Sequence, residues 1–195
     1  MSAQSDHAKD WQWPAFADVP NGRIALWWVI ASEIVIFGGL IACYVLYRTR
    51  HPEWGELAAH TSTPLGALNT LILLTSSLTA VQAHAAASKG DGKKAARLLF
   101  TTIAGGLGFL VVKSFEYTTE IHHGFTISSS TFWSFYFLMT GLHAAHVVAG
   151  MIAMLVVATS ASKGQNLQRV EFVGMYWHFV DLVWIFLFPL LYVAK

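Results

Sequence analysis

The chain has little charge and almost no cysteine, and both shortages narrow its class. Only 12% of its 195 residues are Asp, Glu, Lys or Arg, and 55% are hydrophobic. An ordinary soluble domain is about 25% charged. The single cysteine, Cys43, excludes an internal disulfide and any metal site built from several cysteines; its place in an apolar run favours a small packing residue. A net charge of +1 predicts no nucleic-acid partner.

The motifs of soluble nucleotide-binding and hydrolytic enzymes are also missing. The sequence holds no P-loop, no dinucleotide-binding glycine fingerprint, no Cys-x-x-Cys and no nucleophile elbow. Residues 1–22 are polar and lack the apolar core of a signal peptide. We therefore expect residues 1–22 to be a retained polar tail and residues 23–195 to be one membrane domain.

Long apolar runs, in contrast, are abundant. A membrane-spanning helix needs about 20 mostly apolar residues, and five segments meet this requirement. The fold class predicted is therefore an all-α membrane protein, a five-transmembrane-helix bundle. The predicted spans are 24–47, 65–87, 95–117, 132–159 and 170–193.

Lysine and arginine are distributed unevenly between the two sides of this bundle. The tail, the second loop and the fourth loop share one side, which holds Lys9, Arg23, Lys89, Lys93, Lys94, Arg97, Lys163 and Arg169. The opposite side holds only Arg48, Arg50 and Lys195. Because positive charge is retained in the cytoplasm, this bias predicts a cytoplasmic N-terminus and an outer C-terminus.

Tryptophans and small residues give two further expectations. Aromatic anchors at the headgroups are predicted at Trp11, Trp13, Trp27, Trp28 and, on the outer side, Trp54. Small residues recur every four positions in the fourth span, at Gly141, Ala145, Ala149 and Ala153. This small-residue stripe permits close backbone approach, so we expect it to close the bundle or to face another subunit.

Ionisable side chains from three spans lie at similar depth. At 1.5 Å per residue they fall roughly 13–20 Å from the cytoplasmic or outer end of their spans. The members are Glu33, His143, His146, His178 and Asp181. Each costs about 2.5–3.5 kcal/mol in hydrocarbon unless it faces a protein interior, a partner or water.

Several interpretations of this polar set remain open. The His-x-x-His and His-x-x-Asp spacings are compatible with a metal or a haem ligand, and a buried glutamate is compatible with a proton path. The third interpretation is structural, with the groups pairing to one another, to lipid or to a neighbouring subunit. His178 or Asp181 would then bond to the fourth span, and Lys113 would pair with Glu116 at i,i+3. Glu33 has no basic residue within four positions, so a functional role is kept for it.

Several sequence blocks, in order, resemble the subunit III family of haem–copper oxidases, in the short five-span bacterial form of the cytochrome c oxidase type. They are 28–38 (WVIASEIVIFG), 69–77 (NTLILLTSS) with His84, Glu116-Tyr117 with 125–128 (FTIS), 140–150 (TGLHAAHVVAG) and 176–184 (YWHFVDLVW). The last two are the most specific, and the resemblance covers residues 23–193.

The resemblance implies a role for the whole chain. It implies an accessory subunit of a proton-pumping terminal oxidase, without catalytic residues, metal or cofactor of its own, while haem and copper reside in partner subunits. The direct partner would be subunit I, in a complex with subunit II and others in the bacterial plasma membrane. Bound phospholipid and support of proton uptake are further implications.

The resemblance also assigns individual residues. Glu33 matches the family's buried carboxylate, which reacts with hydrophobic carbodiimides. The structural or lipid-contacting polar set would be His84, Glu116, His143, His146, Trp177, His178 and Asp181. Glu33 favours the cytochrome c branch, whereas 188–192 (FPLLY) is also compatible with a nitric oxide reductase accessory protein, and a quinol oxidase subunit III remains open. An independent transporter or proton channel is the alternative from a different class.

Overall fold

The computed structural model describes residues 21–194, and this part of the chain is helical with no β-strand. Its helices are α1 (Asn21–Arg50), α2 (Trp54–Ala59), α3 (Thr63–Ser88), α4 (Gly92–His122), α5 (Thr131–Ala161) and α6 (Arg169–Phe188), which ends in a π-helical turn (Pro189–Val193). Five of them are long and apolar enough to cross a membrane. The predicted five-span all-α bundle is confirmed. The predicted tail lies outside the described residues, apart from its last two positions, which belong to α1.

Local signals in the sequence set the ends of the inner helices. Asp91 caps α4, because its Oδ1 accepts the backbone N–H of Lys94 at 2.9 Å. Ser130 caps α5 in the same way, through the N–H of Trp133. Gly90 and Gly164 take positive φ values of 80° and 73° in the tight α3–α4 and α5–α6 turns, a conformation that favours glycine. These caps let the helices extend a few residues beyond the apolar runs.

Four of the five spans form a closed ring, and α1 packs on its outside. Within the ring α3 contacts α4, α4 contacts α5, α5 contacts α6, and α6 returns to α3. The helix α1 lies against α6 and touches α5, so most of its surface stays exposed. The interior of the ring carries the largest buried side chains, among them Trp133, Trp177 and Trp184.

The close helix approach occurs beside the predicted small-residue stripe, not on it. Ala145 and Ala149 are exposed on the outside of α5, and the opposite face, with Gly150, turns inward. There the indole of Trp177 sits between α4 and α5, and a Cβ on Gly106 or Gly150 would lie 2.8 or 2.9 Å from it. The expectation that the stripe closes the bundle was therefore wrong. The helices approach closely at Gly106 and Gly150, which we call the glycine notch, and the indole of Trp177 fills the space there.

The expected headgroup anchor Trp54 is also placed differently. It begins the short helix α2, which the sequence did not predict, and only 3% of its surface is exposed. Its ring packs against Tyr44, Phe132 and Phe135 under the outer loops. Trp54 is therefore a core residue, whereas Trp27 and Trp28 are exposed on α1, where headgroup anchoring stays a prediction.

Side chains from three other elements bind the backbone carbonyls at the end of α6. These hydrogen bonds run from Tyr44 to Leu190, from Thr61 to Leu191, from Thr63 to Tyr192 and from Arg48 to Ala194. The last four carbonyls of a helix have no partner within the helix, and in lipid each unsatisfied group costs several kcal/mol. This C-terminal clasp therefore stabilises the end of α6 and fastens α1 and α3 to it.

Candidate functional site

Glu33 lies near the middle of α1 and faces the ring at His146 of α5. The Nε2 of His146 is 2.9 Å from Oε2 of Glu33, and the two side chains are 16% and 17% exposed. Phe37, one turn further along α1, packs edge-on against the same imidazole at 5.2 Å. The sequence left Glu33 without a basic neighbour, and the fold supplies one from a helix 113 positions away.

The second ring nitrogen of His146 fixes how many protons this pair holds. Its Nδ1 lies 2.8 Å from the carbonyl oxygen of Leu142, which can only accept, so Nδ1 carries a hydrogen. Without a further proton, lone pairs of Nε2 and the Glu33 carboxylate would face each other at 2.9 Å. The contact is therefore attractive only with one further proton in the pair, either as an acid and a neutral imidazole or as an ion pair, and its direction is not that of a hydrogen bond.

Two of the predicted structural residues of α6, Trp177 and His178, bond to α3 instead of α5. Nδ1 of His178 is 2.6 Å from the Ser77 hydroxyl, and the indole N–H of Trp177 donates to the Ser76 hydroxyl at 3.1 Å. The expectation that His178 bonds to the fourth span was wrong, since its face of α6 turns toward α3. The adjacent residues Ser76 and Ser77 of α3 thus bond to the adjacent residues Trp177 and His178 of α6.

Asp181 and His143 are buried without such partners. Asp181 is 3% exposed, and neither carboxylate oxygen has a hydrogen-bond partner among the described residues; the neighbouring Ser77 hydroxyl is oriented toward His178. The His143 ring is fully buried and stacks on Trp184 at 5.2 Å, with Phe109 edge-on at 5.3 Å. Its two nitrogens likewise lack partners in residues 21–194. His143 therefore contributes through aromatic packing, and no bond joins Asp181 to α5.

Glu116 belongs to a second polar centre near the C-terminal end of α4. Its Oε2 accepts a hydrogen bond from Nζ of Lys113 at 3.0 Å, so the pairing predicted at i,i+3 is confirmed. The hydroxyls of Tyr136 and Tyr192 join this pair. The sequence did not indicate either tyrosine, because they come from α5 and from the last turn of the chain.

The remaining predicted residue, His84, lies apart from both centres. It is exposed on the C-terminal half of α3. In residues 21–194 no three His, Cys, Asp or Glu side chains converge in a manner that could hold a metal ion. The fold thus brings Glu33 together with His146, and Glu116 with Lys113, while His84, His143 and Asp181 join neither pair.

Comparison with known proteins places this bundle in a family. Residues 19–194 match the family model described as cytochrome c oxidase subunit III. A cytochrome c oxidase subunit 3 of Corynebacterium diphtheriae is 39% identical over 170 residues, covering 84% of this chain and 83% of the relative. The subunit 3 of Thermostichus vulcanus is 36% identical over 169 residues, covering 84% and 83%. That of Bacillus sp. PS3 is 30% identical over 176 residues, covering 88% and 85%.

The match covers more than four fifths of each of these relatives, and the chain is a multi-pass membrane protein of the respiratory chain. It belongs to the cytochrome c oxidase subunit III family.

Proposed function

We propose that the chain is the accessory subunit of a haem–copper terminal oxidase and supports proton uptake by the catalytic subunit. It carries no haem or copper itself, and those centres reside in its partners. The observation that carries the proposal is the Glu33–His146 pair, a proton-holding group at the depth of the membrane. The family relationship supports the assignment to an oxidase complex.

The pair suits a role in proton supply because a shared proton could rest either on the Glu33 carboxylate or on the His146 imidazole. Moving the proton from carboxyl to imidazole converts a neutral pair into an ion pair without any change in helix position. A nearby charge in a partner subunit would shift this balance, since electrostatic interactions are strong in a medium of low dielectric. In residues 21–194 the pair is hydrogen-bonded to no further titratable side chain, so the proton would be exchanged with groups of the catalytic subunit or with water at the interface.

The surface around the pair supports contact with lipid and with a partner. The exposed face of α1 is apolar, with Val35 at 74% and Ile34 at 57% exposure beside Glu33. We propose that acyl chains cover part of this face, and that hydrophobic carbodiimides reach Glu33 through it. The outward small-residue stripe of α5 is proposed to lie against the catalytic subunit.

The orientation follows from the same charge bias that the sequence displays. We propose that the α3–α4 and α5–α6 turns face the cytoplasm of a bacterial plasma membrane. Arg23 and Glu171 form an ion pair on that side, which ties α1 to α6 near the proposed cytoplasmic headgroups. Subunit I would be the direct partner, with subunit II and others in the same complex.

Affinity purification of the tagged chain from its native membrane tests this proposal. We expect stoichiometric recovery with a much larger polypeptide whose visible spectrum contains haem, and no iron or copper in this chain after separation. Recovery of the chain alone or as a homo-oligomer that conducts protons in liposomes would instead assign it to the class of transporters or channels. Cytochrome c oxidation, quinol oxidation and nitric oxide reduction by the recovered complex distinguish the branches of the family.

A further inference from the structure

The second polar centre contains a buried ammonium, that of Lys113. We call this group of side chains the Lys113 cluster; its members are Lys113, Glu116, Glu120, Tyr136 and Tyr192. Lys113 is 2% exposed, and its Nζ lies 3.0 Å from Oε2 of Glu116 and 3.0 Å from the hydroxyl of Tyr136, and it also bonds to the hydroxyl of Tyr192. Aromatic rings surround the same nitrogen, with centroids 4.6–5.7 Å away, from Tyr117, Tyr136, Trp184 and Tyr192. The ammonium is therefore enclosed by hydrogen-bonding and aromatic side chains.

The cluster contains one more carboxylate than cations. Glu116 and Glu120 lie one turn apart on the same face of α4 and are 1% and 3% exposed. Oε1 of Glu116 and Oε2 of Glu120 have no hydrogen-bond partner in the part of the chain that the structure describes. With both acids ionised, the buried cluster would carry a net charge of −1.

The neighbouring helices offer this excess charge little compensation. The titratable groups that contact the cluster or the rings around it are Tyr117 of α4, Tyr136 and His143 of α5, and Tyr192 after α6. Tyr44 and Arg48 of α1 bond instead to the carbonyls of Leu190 and Ala194. Arg48 is committed to the carbonyl of Ala194 at the outer rim, and α3 carries no charged residue near this end. A buried carboxylate without a counter-ion is strongly unfavourable, so the cluster requires one more positive charge.

We propose that the Lys113 cluster binds one proton, shared by the Glu116 and Glu120 carboxylates and resting on Glu120. Glu116 keeps its negative charge, because its Oε2 accepts hydrogen bonds from the ammonium of Lys113 and from the Tyr192 hydroxyl at 3.1 Å. Glu120 receives no such donor, and its protonated form turns a repelling pair of carboxylates into a donor and an acceptor. This site is separate from the Glu33–His146 pair and does not depend on the function proposed for it.

A metal ion fits the same place less well. Calcium requires six to eight oxygen ligands and magnesium a near-octahedral set, whereas the cluster offers two carboxylates beside an ammonium that repels cations. Tyr192 donates a hydrogen bond to the ionised Glu116. The proton on Glu120 keeps that second carboxylate from competing with Glu116 for Lys113.

Infrared spectroscopy of the intact purified complex, with glutamate labelled by ¹³C at the side-chain carboxyl, tests the proposal. In the wild type minus Glu120→Gln difference we expect one C=O stretching band of a protonated carboxylic acid at neutral pH, sensitive to deuterium exchange. The matched control Glu56→Gln, which alters an exposed glutamate of α2, should leave that band in place. If Glu120→Gln fails to assemble, Glu120→Asp serves instead, and the band should shift rather than vanish.

Two results would overturn the proposal. A difference spectrum that contains only carboxylate stretching bands would place an ionised Glu120 in the cluster. A thermal stability of the complex that changes when sodium is exchanged for potassium at constant ionic strength, and loses this change in Glu120→Gln, would assign a metal cation to the site. Equal stability in both salts, together with the carboxylic acid band, supports the bound proton.

Discussion

The indole of Trp177 lies against the backbone of Gly150, so close that a Cβ on this glycine would stand 2.9 Å from the ring. The buried tryptophan joins α6 to the α4–α5 pair and also donates to Ser76 of α3. A single side chain thus contacts all three other helices of the ring.

Gly150→Ala should therefore destabilise the subunit. Overpacking in a well-filled core costs about 1–3 kcal/mol, and the rigid indole has Gly106 on its other side. We expect a lower melting temperature of the purified complex or easier loss of this chain in detergent. Gly174→Ala is the matched control, because a Cβ at this buried helical glycine meets nothing within 4 Å. Equal losses of stability in the two variants would show that packing at Gly150 is no closer than at Gly174.

The C-terminal clasp gives a second prediction. Tyr44→Phe removes the hydrogen bond to the carbonyl of Leu190 and leaves the ring in place. Hydrogen bonds between membrane helices contribute about 0.6 kcal/mol on average, so we expect a small loss of stability and easier proteolysis of the C-terminal segment. Tyr47→Phe is the control, since that exposed tyrosine stacks on Trp54 and His51 without a comparable bond to α6. Equal protease sensitivity in both variants would contradict the role assigned to the clasp.

The Arg23–Glu171 and Lys113–Glu116 ion pairs should differ in their contribution to stability. Arg23→Met breaks a pair whose side chains are 43% and 28% exposed, and such pairs contribute about 0–1 kcal/mol. Lys113→Met leaves Glu116 and Glu120 buried without a cation, and breaking a buried pair costs about 3–5 kcal/mol. We expect the first variant to assemble at the normal level and the second to be depleted from the complex, as measured by the ratio of this chain to haem. Similar ratios would contradict the assignment of Lys113 as an essential buried cation.

The Glu33–His146 pair predicts a coupled functional effect. Glu33→Gln removes the acidic host of the shared proton, and His146→Phe removes the imidazole host, so either change should shorten the active lifetime of the oxidase during turnover. The double variant should lose little more than either single variant, because both remove the same group. Glu56→Gln is the control for loss of an exposed carboxylate. Additive losses in the double variant would mean that the two residues act separately.

The length of the apolar runs was enough to predict the five spans, because a membrane-spanning helix needs a minimum number of apolar residues. No other segment of the sequence has an apolar run of that length. The Lys113–Glu116 pair was also predictable, since positions i and i+3 meet on any helix. The partner of Glu33 was not, because its contact with His146 depends on how α1 docks on the ring. Periodicity likewise places Ala145 and Ala149 on one face of α5 without indicating whether that face turns inward.

The short helix α2 and the C-terminal clasp could not be predicted from the sequence for another reason. Six residues between two spans carry too weak a signal to be distinguished from a loop. The tyrosines that surround Lys113 come from three elements, and no local spacing joins them. Trp54 resembled a headgroup anchor because it follows a span, and only the packed rings of Phe132 and Phe135 identify it as core.

The most direct measurement of the central claim is proton uptake by the oxidase in liposomes, with and without this chain. We predict that the complex depleted of the chain takes up protons more slowly and loses activity within fewer turnovers, and that adding the wild-type chain restores both, whereas the Glu33→Gln chain binds without restoring them. Equal uptake rates and equal lifetimes in the presence and absence of the chain would contradict the account.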